Sequence, residues 1–148
     1  HLKEKYAEVD VDMVKHGIAN FDGCRVDYAH HGPTGGIRKW TEGNQLRYYL
    51  KDRMLKAILH DEEPCQLYVR AHYHTRMHEV VEVKGYKTWR CEAWILPCYC
   101  GLSDHGYQAT RSIDRVDIGM VAFAMDNGEL QDTLPLRETL DLRVEESF

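Results

Sequence analysis

The chain has 148 residues, 43% hydrophobic and 29% charged, with a formal net charge of −5. That is enough for one core of ordinary size and too little for two comfortable domains, and the hydrophobic and aromatic content argues against disorder. No apolar run approaches the roughly 18 residues that a membrane span needs, and the charge balance offers no basic field for nonspecific nucleic-acid binding.

In chain order, the first twelve residues read as a helix end or linker. The opening HLKEKYAEVD is charged throughout and has no secretory leader pattern. Asp12 to Ile18 and Cys24 to Ala29 are expected as two short strands bridged by the turn residues Asn20-Phe21-Asp22-Gly23. HHGPTGG, residues 30 to 36, is expected as a loop. From Asn44, a plausible N-cap, the pattern becomes helical: Leu46, Leu50, Met54, Ala57 and Ile58 form one apolar stripe. Arg47, Lys51, Arg53 and Lys56 decorate that helix as a solvated face. Cys65 to Ala71 reads as a buried strand, and Glu79 to Val83 with Tyr86 to Leu96 as a hairpin around Lys84-Gly85. A loop from Pro97 to about Arg111 follows. Val116 to Ala124 is a further strand, turning at Asp126-Asn127-Gly128 into Glu129 to Leu134. Leu140, Leu142 and Val144 alternate as a further edge strand. Residues 126–148 carry seven acidic and two basic side chains, and residues 135–148 are expected as an acidic tail. The fold class is therefore α/β (α+β), richer in strand than helix, with a sheet covered by one or two helices.

Five cysteines (Cys24, Cys65, Cys91, Cys98 and Cys100) make an odd set, expected as reduced thiols of a cytoplasmic protein. Cys98-x-Cys100 lacks a second pair at zinc-finger spacing. The nine histidines are more informative. His30 and His31 follow one expected strand, and His72 and His74 follow another as R-A-H-Y-H. Loops at the carboxyl ends of strands are where open sheets place ligands, and imidazoles suit zinc, manganese and iron alike.

A hydrophobic strand ending in HHGP, a helix, and a strand ending in R-A-H-x-H resemble the later half of calcineurin-like metallophosphoesterases, especially prokaryotic and phage members. That family's fourth motif is a histidine ending a strand and its fifth is G-H-x-H. The resemblance covers most of Cys24 to Leu130, and Ala71 stands where the family usually has glycine. It implies His30, His72 and His74 as metal ligands, with His31 as a catalytic or substrate-contacting residue. It also implies two divalent ions (Mn, Fe or Zn) and a phosphoester substrate, either a small molecule or a nucleic acid. The expected fold is then the carboxyl-terminal half of a β-sandwich flanked by helices. The family's D-x-H, G-D-x-x-D and G-N-H-[DE] motifs do not occur in these 148 residues. The chain, which starts at His1, is therefore expected to be a single part-domain whose partner is the missing amino-terminal half of the same protein. Its own site is expected to be half-built. No membrane partner is expected, and homo-oligomerisation is left open.

Two alternatives stand beside this. His72-x-His74, four residues, Glu79, five residues and Gly85 resemble the first cupin motif, which implies a single-metal oxygenase with Glu79 on the metal. A non-catalytic structural or assembly domain retaining the phosphoesterase fold is the other. His16, His60, His78 and His105 read as surface or satisfied histidines. Trp40, Trp89 and Trp94 read as core or edge packing, and Arg111 and Arg115 as residues of a solvated loop.

Overall fold

Two turn sequences with glycine in second place set the first and last hairpins. Asp22-Gly23 and Asn127-Gly128 both take positive φ at each residue, as the favoured two-residue hairpin turn requires. The first closes β1 (His16–Phe21) onto β2 (Cys24–Ala29) in antiparallel register from Phe21↔Cys24 to His16↔Ala29. The second closes β6 (Arg115–Asp126) onto β7 (Glu129–Asp141). Between them lie a 3-10 turn (Lys39–Thr41), α1 (Asn44–Leu59), β3 (Leu67–Arg70), β4 (Met77–Lys84) and β5 (Thr88–Ile95). This computed structural model describes residues 14–34, 39–99, 115–143 and 145. The expected helix end or linker of the first twelve residues, the end of the glycine-rich loop at residues 35–36 and the expected loop from residue 100 to about Arg111 lie outside them, as do Cys100, His105 and Val144 of the expected edge strand.

Five strands form one mixed sheet in the order β1-β2-β3-β5-β4, and β6-β7 form a second, two-stranded sheet. β2, β3 and β5 run parallel, with β1 and β4 antiparallel at the edges. The β2–α1–β3 segment is a parallel crossover unit, which brings the carboxyl ends of β2 and β3 side by side. One face of the large sheet packs on α1 through Leu46, Leu50, Met54, Tyr68, Met77, Cys91, Ala93 and Ile95. The opposite face presents Val26, Leu67 and Trp94 to Val121, Phe123, Met125 and Leu130 of the hairpin. The result is three layers (helix, sheet, hairpin), and the expected α/β class is observed.

Some local expectations shift. The first turn tightens to Asp22-Gly23, because β1 continues through Phe21. The helix cap is Gly43, with φ 87° and no side-chain cap hydrogen bond, while Asn44 is the first helical residue. A methyl group at Gly43 would collide with the Glu79 carboxylate, which sits at the helix start where the dipole favours negative charge. Residues 135–141 continue β7 instead of forming a tail, with Met120↔Leu136 and Ala122↔Leu134 among the cross-strand pairs. Trp40 is 81% exposed, whereas Trp89 and Trp94 are buried. Arg115 opens β6 and pairs with Asp141. Cys24, Cys65 and Cys91 are buried free thiols, and burial pushes all three up, Cys91 to about 12. Among the described residues no helix is long and apolar enough to cross a membrane.

Candidate metal centre

β2 ends at Ala29 and β3 at Arg70, so His30 and His72 leave neighbouring parallel strands at the same edge of the sheet. The two loops are tied together by backbone: the Ala71 N–H donates to the His30 carbonyl at 3.0 Å. The Tyr73 hydroxyl adds a bond to the Gly32 carbonyl at 3.2 Å. Beyond His31 the chain passes so close to the Arg70 stem that a Cβ at Gly32 would overlap it, which explains the glycine there.

This geometry brings together His30, His31 and His72. One ring nitrogen from each lies within 4.8 Å of the others, and His30 Nε2 stands 3.1 Å from His72 Nδ1. Two nitrogens on a tetrahedral ion, each about 2.0–2.1 Å from it, stand roughly 3.3 Å apart, so this spacing fits shared coordination. The rings meet edge to face or tilted, with centroids 4.4–5.1 Å apart. His30 and His31 are exposed and His72 is half-buried, which leaves the cluster open to solvent and ligand. An all-imidazole donor set suits zinc, copper, iron or nickel.

His74 is not in this group. In a regular strand, residues i and i+2 share a face, but here His72 has φ 83° and His74 φ 54°. These left-handed residues turn the backbone between them, and the alternation is lost. Such conformations cost about 1–3 kcal/mol each and persist only where the surroundings impose them. His74 Nδ1 is buried without a hydrogen-bond partner, a nitrogen left free to meet an ion. Glu79 also lies elsewhere: its carboxylate accepts from Arg47 Nε at 2.8 Å beside the helix start. That position withholds the acidic ligand a cupin site needs.

Behind the cluster lies a charged network that spacing did not reveal. Asp27 and Arg70 are each 1% exposed. Arg70 Nη2 donates to Asp27 Oδ1 at 2.6 Å, and Arg70 Nη1 to the Asp27 carbonyl at 3.0 Å. Arg70 Nε donates to the Tyr49 hydroxyl of α1 at 3.0 Å. Arg53, expected on a solvated face, turns inward to Asp27 Oδ2 at 3.0 Å, and His16 Nε2 lies 2.7 Å from Oδ1. Burial alone would raise the Asp27 carboxyl, but the hydrogen bond and charge of Arg70, then those of His16, hold it below the ordinary value. The signal available in the sequence was a lone acid in β2 and a lone base in β3, each among apolar neighbours. His78 stacks on Trp94 at 4.0 Å and meets Glu92 at 2.9 Å, a satisfied histidine as expected.

No family model and no curated protein matches the sequence. Among solved structures, the chain is similar to Vps29 from Entamoeba histolytica, determined in complex with zinc. The TM-score is 0.45 and the identity 12%, covering 89% of this chain and 64% of that chain.

Proposed function

We propose that this chain carries the histidine half of a metal-dependent phosphoester hydrolase of the calcineurin-like metallophosphoesterase type. The observation that carries the reading is the convergence of His30, His31 and His72 from the carboxyl ends of two parallel strands joined by a helix. Their donor chemistry fits a divalent transition ion, and the orphaned Nδ1 of His74 fits a second one. In this reading His30 and His72 hold the first ion, with His31 completing its ligands or meeting the substrate phosphate. His74 would offer its Nδ1 to the second ion. Bound there, divalent ions supply Lewis-acid stabilisation of phosphoryl oxygens. The protein's own part is to fix the imidazoles: the Ala71–His30 backbone bond sets the distance between the two loops, and Arg70 stiffens the strand beneath them.

These four imidazoles bring no negative charge, so two divalent ions would remain uncompensated without carboxylates. The reading therefore assigns the carboxylates, and with them a competent hydrolase, to a polypeptide segment amino-terminal to these residues. The test has two arms. In the first, residues 1–148 are titrated with Zn2+ by calorimetry; binding is expected, and it should be lost in His30→Ala and His72→Ala. In the second, an aryl phosphodiester is supplied with Mn2+ to residues 1–148 and to the longer reading frame. Turnover is expected only from the longer protein and should fall by orders of magnitude in its His72→Ala variant. A longer protein that binds metal but turns over no phosphoester would favour the non-catalytic alternative.

A further inference from the structure

The turn from His72 to Arg76 holds two non-glycine residues at positive φ, so something outside it must impose that shape. On the β2 side the restraints are the Ala71–His30 and Tyr73–Gly32 bonds already described. On the other side stands one residue of the second sheet. The Asp117 N–H donates to the His74 carbonyl at 3.3 Å, and Asp117 Oδ2 accepts the Arg76 N–H at 3.0 Å. A single residue of β6 therefore grips the turn by one donor and one acceptor, spanning the strained His74.

Asp117 is itself firmly aimed. Its Oδ1 accepts from Arg137 Nη1 at 2.8 Å and from Thr139 Oγ1 at 2.7 Å, both on the neighbouring strand β7. Its carbonyl accepts from the Cys98 N–H at 3.0 Å. A carboxylate with three donors and a backbone bonded on both sides is built to hold a position.

We propose that Asp117 is a positioning residue for the metal centre: it locks the His72–Arg76 turn so that the His72 ring stays with His30 and His31. This rests on the metal reading above. With the Asp117 carboxylate removed, the Arg76 N–H loses its acceptor and only the backbone bond to the His74 carbonyl remains; residues 74–76 are then expected to relax toward ordinary extended backbone and His72 to leave its partners. The hairpin then has a role beyond covering the core, since it clamps a loop that belongs to the other sheet.

The experiment uses the whole 148-residue chain with Co2+ as a spectroscopic probe of imidazole ligation, and amide hydrogen exchange on the same samples. Asp117→Ala is expected to weaken Co2+ binding about 10–100-fold, the scale seen when outer partners of metal ligands are removed, and to alter its absorption bands. It should also release protection of the Arg76 amide. Asp117→Asn, which keeps an acceptor for the Arg76 N–H, should restore most of both. Phe123→Ala serves as the control: it loosens the hairpin at its contact with Trp94, the ring on which the Arg76 guanidinium also rests, but removes none of the hydrogen bonds that hold the turn. It should lower stability but leave the affinity and bands unchanged. Wild-type affinity and bands in Asp117→Ala, or an equal loss in Phe123→Ala, would overturn the positioning role. A wild-type chain that binds no Co2+ overturns the metal reading and the role built on it, while the Arg76 amide still reports whether Asp117 holds the turn.

Discussion

Asp27 and Arg70 face each other in a place where neither has water to fall back on, and that makes their pair sensitive to the loss of one partner. Removing one charge of a buried pair strands the other, at a cost of about 3–5 kcal/mol. Asp27→Asn is expected to destabilise by that order in urea unfolding, because Arg70 is 1% exposed. The pH dependence follows from the lowered carboxyl. A group whose folded value lies below its unfolded value, about 3.9 for aspartate, contributes fully above the unfolded value. That contribution is lost as pH falls through the folded one. Stability should therefore be flat in this respect near neutrality and drop below about pH 4, with the drop shallower in Asp27→Asn. An unchanged acid limb in the variant would remove Asp27 from the explanation. At this scale the sequence showed which imidazoles end strands. It did not show that His74 stands apart from them, since that depends on the backbone torsions of His72 and His74.

α1 shows how far periodicity reaches. Leu46, Leu50 and Met54 recur every four residues, and all three are fully buried against the sheet. Leu50→Ala is expected to cost about 2–5 kcal/mol, measured by chemical denaturation against Lys51→Ala on the exposed face. A loss no larger than the control's would mean that the stripe does not anchor the helix. The helix start was less legible. Asn44 has a good capping side chain, yet Gly43 takes the cap position in a left-handed conformation that accommodates Glu79 from β4. The β6–β7 hairpin divides in the same way. Its Asn-Gly turn and alternating leucines are local signals. That it runs on to Asp141 and covers the second face of the large sheet depends on Val26, Leu67 and Trp94 offering an apolar surface.

For the molecule as a whole, the candidate centre joins loops 42 residues apart, so ion binding and folding should be coupled. A ligand that binds only the folded state at a hundredfold excess over Kd stabilises by about 2.7 kcal/mol, roughly 5–10 °C in melting temperature for a chain of this size. Zn2+ is expected to raise the melt by that order. EDTA should reverse the gain, and His30→Ala should abolish it; an equal rise in that variant would place the ion elsewhere. What the sequence determined by itself was whatever two or three turns of chain can encode: the Asp-Gly and Asn-Gly reversals, the helix stripe, and histidines stationed at strand ends. Those features follow from local sterics and from periods of 2 and 3.6 residues. Tertiary structure decided which histidines converge, that Asp27 and Arg70 meet beneath them, and that Asp117 reaches across from the second sheet. Each of these rests on strand register and on contacts between residues far apart in the chain, and residue spacing carries no information about either.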